Sequence, residues 1–182
     1  SEITGLRCSV RSGSLRITEG ENFHVSDPSG NSCGAYTEDG IYIVDEDAAS
    51  ESYITVTVPA DFQFETVELT AEGGALTAEN ISTRNLLTSC DKGSITYSGS
   101  VGAYTEVQQH QGQTVLNLSG AQSNYNYQLE VDLGSIRIGE DRYAGRHRQQ
   151  DIDNGAEKTI TAGCSMGSVR IFFSGTSSLP LS

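Results

Sequence analysis

Apolar and polar residues alternate along this chain in short runs, at the period of two that marks a strand with one buried face. Leu15 and Ile17 flank Arg16, Ile95 and Tyr97 flank Thr96, Ile136 and Ile138 flank Arg137, and Val169 and Ile171 flank Arg170. Each run opens on a glycine and a small residue: Gly13-Ser14, Gly93-Ser94, Gly134-Ser135 and Gly167-Ser168. Gly74-Ala75-Leu76-Thr77-Ala78 is a fifth copy, and Gly112, followed by Gln113-Thr114-Val115-Leu116, continues the series imperfectly. Glycine reaches backbone angles barred to other residues, so it can turn the chain into a new strand.

The spacing converts this pattern into an architecture. Gly74 to Gly93 and Gly93 to Gly112 are both 19 residues, Gly112 to Gly134 is 22, and Gly134 to Gly167 is 33, which leaves room for an inserted loop. One such strand has too little apolar area to fold alone. Stacked coils bury a continuous core, because each rung covers its neighbours. The expectation is an all-β fold: a single-stranded β-helix (β-solenoid), taken as right-handed, with rungs of about 20 residues.

The rest of the chain agrees. Residues 41–44 and 53–59 are strongly β-patterned, and Phe62, Phe64, Val67 and Leu69 continue the trend. No window shows sustained helical periodicity, although the segment 78–90 admits a short helical turn. Residues 26–40 and 139–158 are turn-rich and read as loops or insertions. The chain is expected to be one domain, 1–182, with irregular coils over 1–50, the best-defined repeat over 53–173, and a tail over 175–182.

The cysteines fit the repeat. Cys90 and Cys164 each lie three residues before a motif glycine, where Val10, Ala71 and Val131 stand in other copies. Small, apolar residues at one position imply a core site, so both thiols are expected to act as small hydrophobes. Cys8 and Cys33 fall outside the frame, which leaves open their pairing in an oxidising compartment. No pair has the C-x-x-C spacing of a zinc or redox site.

Composition narrows the function. Leu, Ile, Val and Phe make up 40 of 182 residues, near the share at which disorder is the default, so the periodicity carries the case for order. With 24 acidic and 11 basic residues the net charge is −13. That balance opposes a nucleic-acid partner or docking on anionic lipid. No stretch approaches the ~18 apolar residues of a membrane span, so this chain is not expected to insert in a membrane. It starts with Ser1, which suggests trimming or processing of an upstream signal or anchor.

No catalytic, cofactor or metal site emerges. His24, His110 and His147 are scattered and read as surface residues. Asp45-Glu46-Asp47 lacks the glycine and downstream Glu of a calcium loop and reads as a solvated turn. Nucleophile-elbow, phosphate-loop and dinucleotide motifs are absent. Asp151 and Asp153 would share one strand face, and paired carboxylates serve glycosidases, but an acidic loop is the plainer reading. Asn80 and Asn117 head glycosylation sequons. Arg142, Arg146, His147 and Arg148 form the one local cationic cluster, suited to an acidic glycan or a neighbouring subunit's carboxylates.

Two stretches resemble a known family. Tyr125-Asn126-Tyr127-Gln128-Leu129-Glu130 with Gly134-Ser135-Ile136-Arg137-Ile138-Gly139 is similar to the C-terminal part of the bacterial putative adhesin family. So is Asp153-Asn154-Gly155-Ala156-Glu157-Lys158-Thr159-Ile160 with Cys164 to Ile171. The resemblance runs from about Tyr53 to Phe172. It implies an extracytoplasmic β-helical domain at the cell surface, held by an N-terminal anchor outside this chain, and carries no catalytic residues with it. The expected function is adhesion or interaction with an unknown surface glycan or protein, without catalysis. The alternatives are a scaffold or spacer that self-associates through its solenoid ends, and a polysaccharide-acting enzyme.

Overall fold

The computed structural model describes residues 2–28, 33–47 and 52–175, with only the backbone of Cys33. Among them are sixteen strands. In chain order these are β1 (Gly5–Val10), β2 (Ser14–Gly20), β3 (His24–Ser26), β4 (Cys33–Glu38), β5 (Ile41–Glu46), β6 (Tyr53–Pro59), β7 (Gln63–Ala71) and β8 (Ala75–Cys90). There follow β9 (Ser94–Gln109), β10 (Gln113–Leu118), β11 (Tyr125–Val131), β12 (Ser135–Ile138), β13 (Asp141–Ala144), β14 (Arg148–Ile152), β15 (Lys158–Cys164) and β16 (Ser168–Phe173). A single 3-10 turn, Gln122–Asn124, is the one helical element among the described residues. The segment 78–90 is therefore strand, not helical turn: its alternating Ile81, Thr83, Leu86, Thr88 and Cys90 all face inward.

The strands form one large, unclosed, mostly parallel sheet. It has two ladders. One runs β5-β1-β7-β8-β9-β15-β11, and the other β6-β2-β8-β9-β10-β16-β12. The long strands β8 and β9 belong to both and shift register between Ala78 and Ile81, where the chain bends from one ladder to the other.

In-register pairing puts like positions over one another. Ile54, Leu15, Leu76, Ile95, Thr114, Val169 and Ile136 form one row, none more than 2% exposed. Burying each aliphatic side chain in such a row contributes about 1.5–3 kcal/mol. A second row holds Glu46, Val10, Ala71, Cys90, Gln109, Cys164 and Val131, all buried. Cys90 and Cys164 thus sit where the repeat places them, and Gln109 between them is the imperfect copy's polar substitute.

Chain order and stacking order differ. β16 lies between β10 and β12, so the coil containing Gly167 stacks on that of Gly112, and the coil of Gly134 is pushed outward. At the opposite end β1 and β2 lie inside, while β5 and β6, later in sequence, lie outside. Each outer coil carries antiparallel strands. β4 pairs β5 and β3 pairs β6 at one end. β14 pairs β11 and β13 pairs β12 at the other. Of these strands, β4 comes from the turn-rich segment 26–40 and β13 and β14 from 139–158, and Val25 of β3, Tyr143 of β13 and Ile152 of β14 pack against the core.

The turns between the ladders pack backbone on backbone. A Cβ built on Gly93 would lie 2.0 Å from the Gly74 carbonyl oxygen, and one on Gly112 would lie 1.9 Å from that of Gly93. No side chain fits there, which is why the motif begins with glycine. Ser52 takes the corresponding place in the β5-β6 coil, beside Gly13.

The acidic run beside that coil is not a solvated turn. Glu46 is 2% exposed. Its carboxylate accepts hydrogen bonds from the Gly13 amide at 2.6 Å, the Ser52 hydroxyl at 2.9 Å and the Arg11 amide at 3.2 Å. Asp45 accepts one from the Ser9 hydroxyl at 2.7 Å. Successive amides at the turn of residues 11–13 make a nest for an anion, and Glu46 fills it.

Candidate interaction surface

Outward positions of the ladder β9-β15-β11-β14 form two polar columns. One is Gln108, Gly163, Glu130 and Gln149, and the other is Glu106, Thr161, Gln128 and Asp151. Gly163 has no side chain, so a furrow of about 290 Å³ opens between Gln108 and Glu130. It continues into a groove of about 330 Å³ bordered by Asp132, His147 and Ser165. The furrow offers amides and carboxylates in alternation, a set suited to hydrogen bonding hydroxyl-rich or peptide ligands.

Asp151 and Asp153 do not both lie on β14. Asp151 lines the furrow. Asp153 lies beyond the end of β14 and accepts the Gly155 amide at 2.8 Å, closing a turn that the Asn126 side chain ties down from both Asn154 and Ala156. The carboxylate that joins Asp151 is Glu130, two residue pairs along in the antiparallel register and on the same side of the sheet. The alternation Gln128-Leu129-Glu130-Val131 marks Glu130 as outward-facing, but nothing local marks it as Asp151's neighbour.

The cationic cluster also separates. The Arg148 guanidinium lies 5.3 Å from the centre of the Tyr143 ring. His147 contacts Asp132 at 2.9 Å, and Arg146 is exposed in the turn between β13 and β14. Arg142 points along a different face, opposite Arg137 on β12, which is in turn opposite Arg170 on β16. Beside this column is a pocket of about 560 Å³ lined by Gln122, Arg137, Gly139, Glu140, Phe172 and Phe173, among others.

The remaining candidates are structural. Burial pushes the Cys90 and Cys164 thiols up in pKa, which suppresses the reactive thiolate. β5 lies between the strands of Cys8 and Cys33, so their backbones are about two strand spacings, roughly 10 Å, apart, beyond disulfide reach. His110 contacts Asp91 at 2.7 Å across adjacent turns. The Asn80 amide bonds Glu19, and that of Asn117 reaches Ser98 at 3.4 Å. Among the described residues, no three His, Cys, Asp or Glu side chains gather as a metal site would require. No helix there is long and apolar enough to cross a membrane.

No family model matches this chain, and no curated protein does. It is similar to the crystal structure of a "putative cell adhesion protein" from Clostridium sporogenes, with a TM-score of 0.63 at 12% identity, covering 95% of this chain and 93% of that one. The two share a fold. A "putative adhesin" from Bacteroides fragilis aligns over 94% of this chain and 93% of its own at 11% identity, with a TM-score of 0.37, too loose to establish a common fold.

Proposed function

We propose that this chain is a non-catalytic interaction module displayed outside the cell, built as a right-handed β-solenoid. The observation that carries the reading is the furrowed polar face. Parallel, in-register rungs hold amides and carboxylates in open columns around Gly163, as a recognition surface requires. The 19-residue register that joins Ala75, Ser94 and Gln113 supports the solenoid, since each coil covers the next at one constant offset. The fold shared with a protein described as a putative cell adhesion protein supports adhesion and an extracellular location. Attachment through a segment outside this sequence completes the proposal. The antiparallel strands over both outer coils weigh against a spacer that grows by end-to-end stacking, because the parallel ladder does not continue past them.

The test is binding of the purified chain to arrays of glycans and to extracellular matrix proteins. Saturable binding that falls when Gly163→Tyr fills the furrow supports the reading. A folded chain that binds nothing across both arrays removes it.

A further inference from the structure

Three arginines on adjacent strands stand in one outward column: Arg170 of β16 is opposite Arg137 of β12, and Arg137 is opposite Arg142 of β13. All three are exposed. Adjacent strands lie about 4.8 Å apart, and like charges directly opposite one another destabilise a sheet. Other arginines among the described residues have acidic partners. Arg7 pairs with Glu68 at 3.0 Å, Arg16 with Glu79 at 2.6 Å, and Arg84 with Glu65 at 3.7 Å. None of the three column arginines has an ion pair or side-chain hydrogen bond among the described residues, although the chain carries a net −13. The nearest carboxylate in sequence, Asp141, accepts the Gln122 amide at 3.0 Å instead.

The column borders the pocket of about 560 Å³. Phe172, two residues from Arg170 on the same outward face, is 38% exposed, an aromatic ring offered to solvent. Gln122 reaches the pocket wall over Gly139, whose φ of +60° and lack of a Cβ make room for its side-chain oxygen. Glu140 supplies an acceptor on the same wall. Fixed cations, an apolar ring and neutral and acidic hydrogen-bonding groups together match one chemistry: a sugar ring that carries an anion.

We propose that the Arg170-Arg137-Arg142 column and its pocket bind an acidic polysaccharide. The guanidiniums take successive carboxylates or sulfates, Phe172 covers the apolar face of a ring, and Gln122 and Glu140 bond its hydroxyls. The proposal rests on the surface-interaction reading above but names a different face from the furrow. An acidic protein surface would use the charge column but leave Phe172 and the pocket idle.

Calorimetric titration with polygalacturonate, heparin and neutral dextran tests it, the first two separating carboxylate from sulfate recognition. The unmodified chain is expected to bind at least one polyanion, more weakly as salt screens the charges, and not dextran. The double variant Arg137→Ser/Arg170→Ser should lose about tenfold or more in affinity. Phe172→Ala should lose roughly threefold, and Arg16→Ser, at the other end of the sheet, should match the parent. In the unmodified chain, Phe172 ring resonances should shift on titration, a reading that does not depend on how variants fold. Unshifted resonances at saturation, or full affinity in the double variant, overturn the site. Binding of neutral glycans or proteins without either polyanion overturns it while leaving the interaction reading intact. Binding of nothing overturns both.

Discussion

The carboxylate of Glu46 accepts the backbone amide of Gly13 at 2.6 Å, from inside the core and across 33 residues of chain. Gly13 opens the second strand of an inner coil, and Glu46 ends the first strand of the coil outside it. The contact pins the turn of one coil to the strand of the next. Removing the carboxylate strands the Gly13 amide and the Ser52 hydroxyl in a buried site, and each orphaned group costs about 1–3 kcal/mol. Glu46→Ala should therefore destabilise the chain by about 2–4 kcal/mol, measured as a lower denaturant midpoint at unchanged slope. Glu46→Gln keeps an acceptor and should lose less, about 1 kcal/mol. Equal stability of Glu46→Ala and the parent would show that the nest is solvated.

The stacked turns make a contrasting pair of glycine substitutions. In Gly93→Ala the new methyl meets the Gly74 carbonyl oxygen at 2.0 Å, and backbone must move. In Gly163→Ala the nearest atom is the flexible Gln108 side-chain oxygen at 3.5 Å. The first should cost about 2–4 kcal/mol through strain spread into the neighbouring coils. The second should fall within about 0.5 kcal/mol of the parent. Thermal melts of the two variants decide it, and similar melting temperatures would refute the close packing of the turns.

Much of this was open to a reader of the sequence, and the limits have physical causes. Alternation fixes which side chains face inward, so Leu15, Ile95, Ile136 and Val169 could be assigned to a core, and Cys90 and Cys164 with them. The same period is blind to which coil lies next. β16 can pair with β10 at the register that β12 would use, and the reversed strands β13 and β14 decide the matter from outside the repeat. The neighbour relations that create the surface were hidden for this reason. Arg137 and Arg170 each read as water-facing, but their stacking follows from the exchanged coil order. The local run from Arg142 to Arg148 promised a patch that its turn pulls apart. Glu46 looked solvated because the amides it serves belong to residues 11–13.

Gln109 and Thr114 form a polar break in the core. The Thr114 hydroxyl donates to the Gln109 side-chain oxygen at 2.5 Å, and the Gln109 side-chain nitrogen is buried with no partner among the described residues. Their rows otherwise hold Cys90 and Cys164, and Ile95 and Val169. Either single change to Val leaves its former partner unsatisfied and should destabilise by about 1–2 kcal/mol. The double variant Gln109→Val/Thr114→Val removes every polar atom of the pair and should equal or exceed the parent's stability. A double-mutant cycle by urea unfolding should give a coupling of about 2–4 kcal/mol, and additive losses would contradict the pairing.

Burial drives the Tyr125 phenol up from 10.0 to about 12, and it raises Tyr97, Tyr127, Cys90 and Cys164 in the same direction. The Tyr97 and Tyr125 hydroxyls also donate to the carbonyls of Ile81 and Ser119, at 2.6 and 2.7 Å, bonds that need the protonated form. For each group the folded chain holds its proton to higher pH than the unfolded chain does. The stability they contribute is therefore complete below the unfolded value and is lost as pH rises through the folded one. The denaturant midpoint should hold through neutral pH and fall from about pH 9 toward 12. Tyr125→Phe should soften that decline, because its ring still packs on Phe173 with centroids 5.5 Å apart while the ionisable proton is gone. A midpoint that stays level to pH 12 would contradict the burial of these rings.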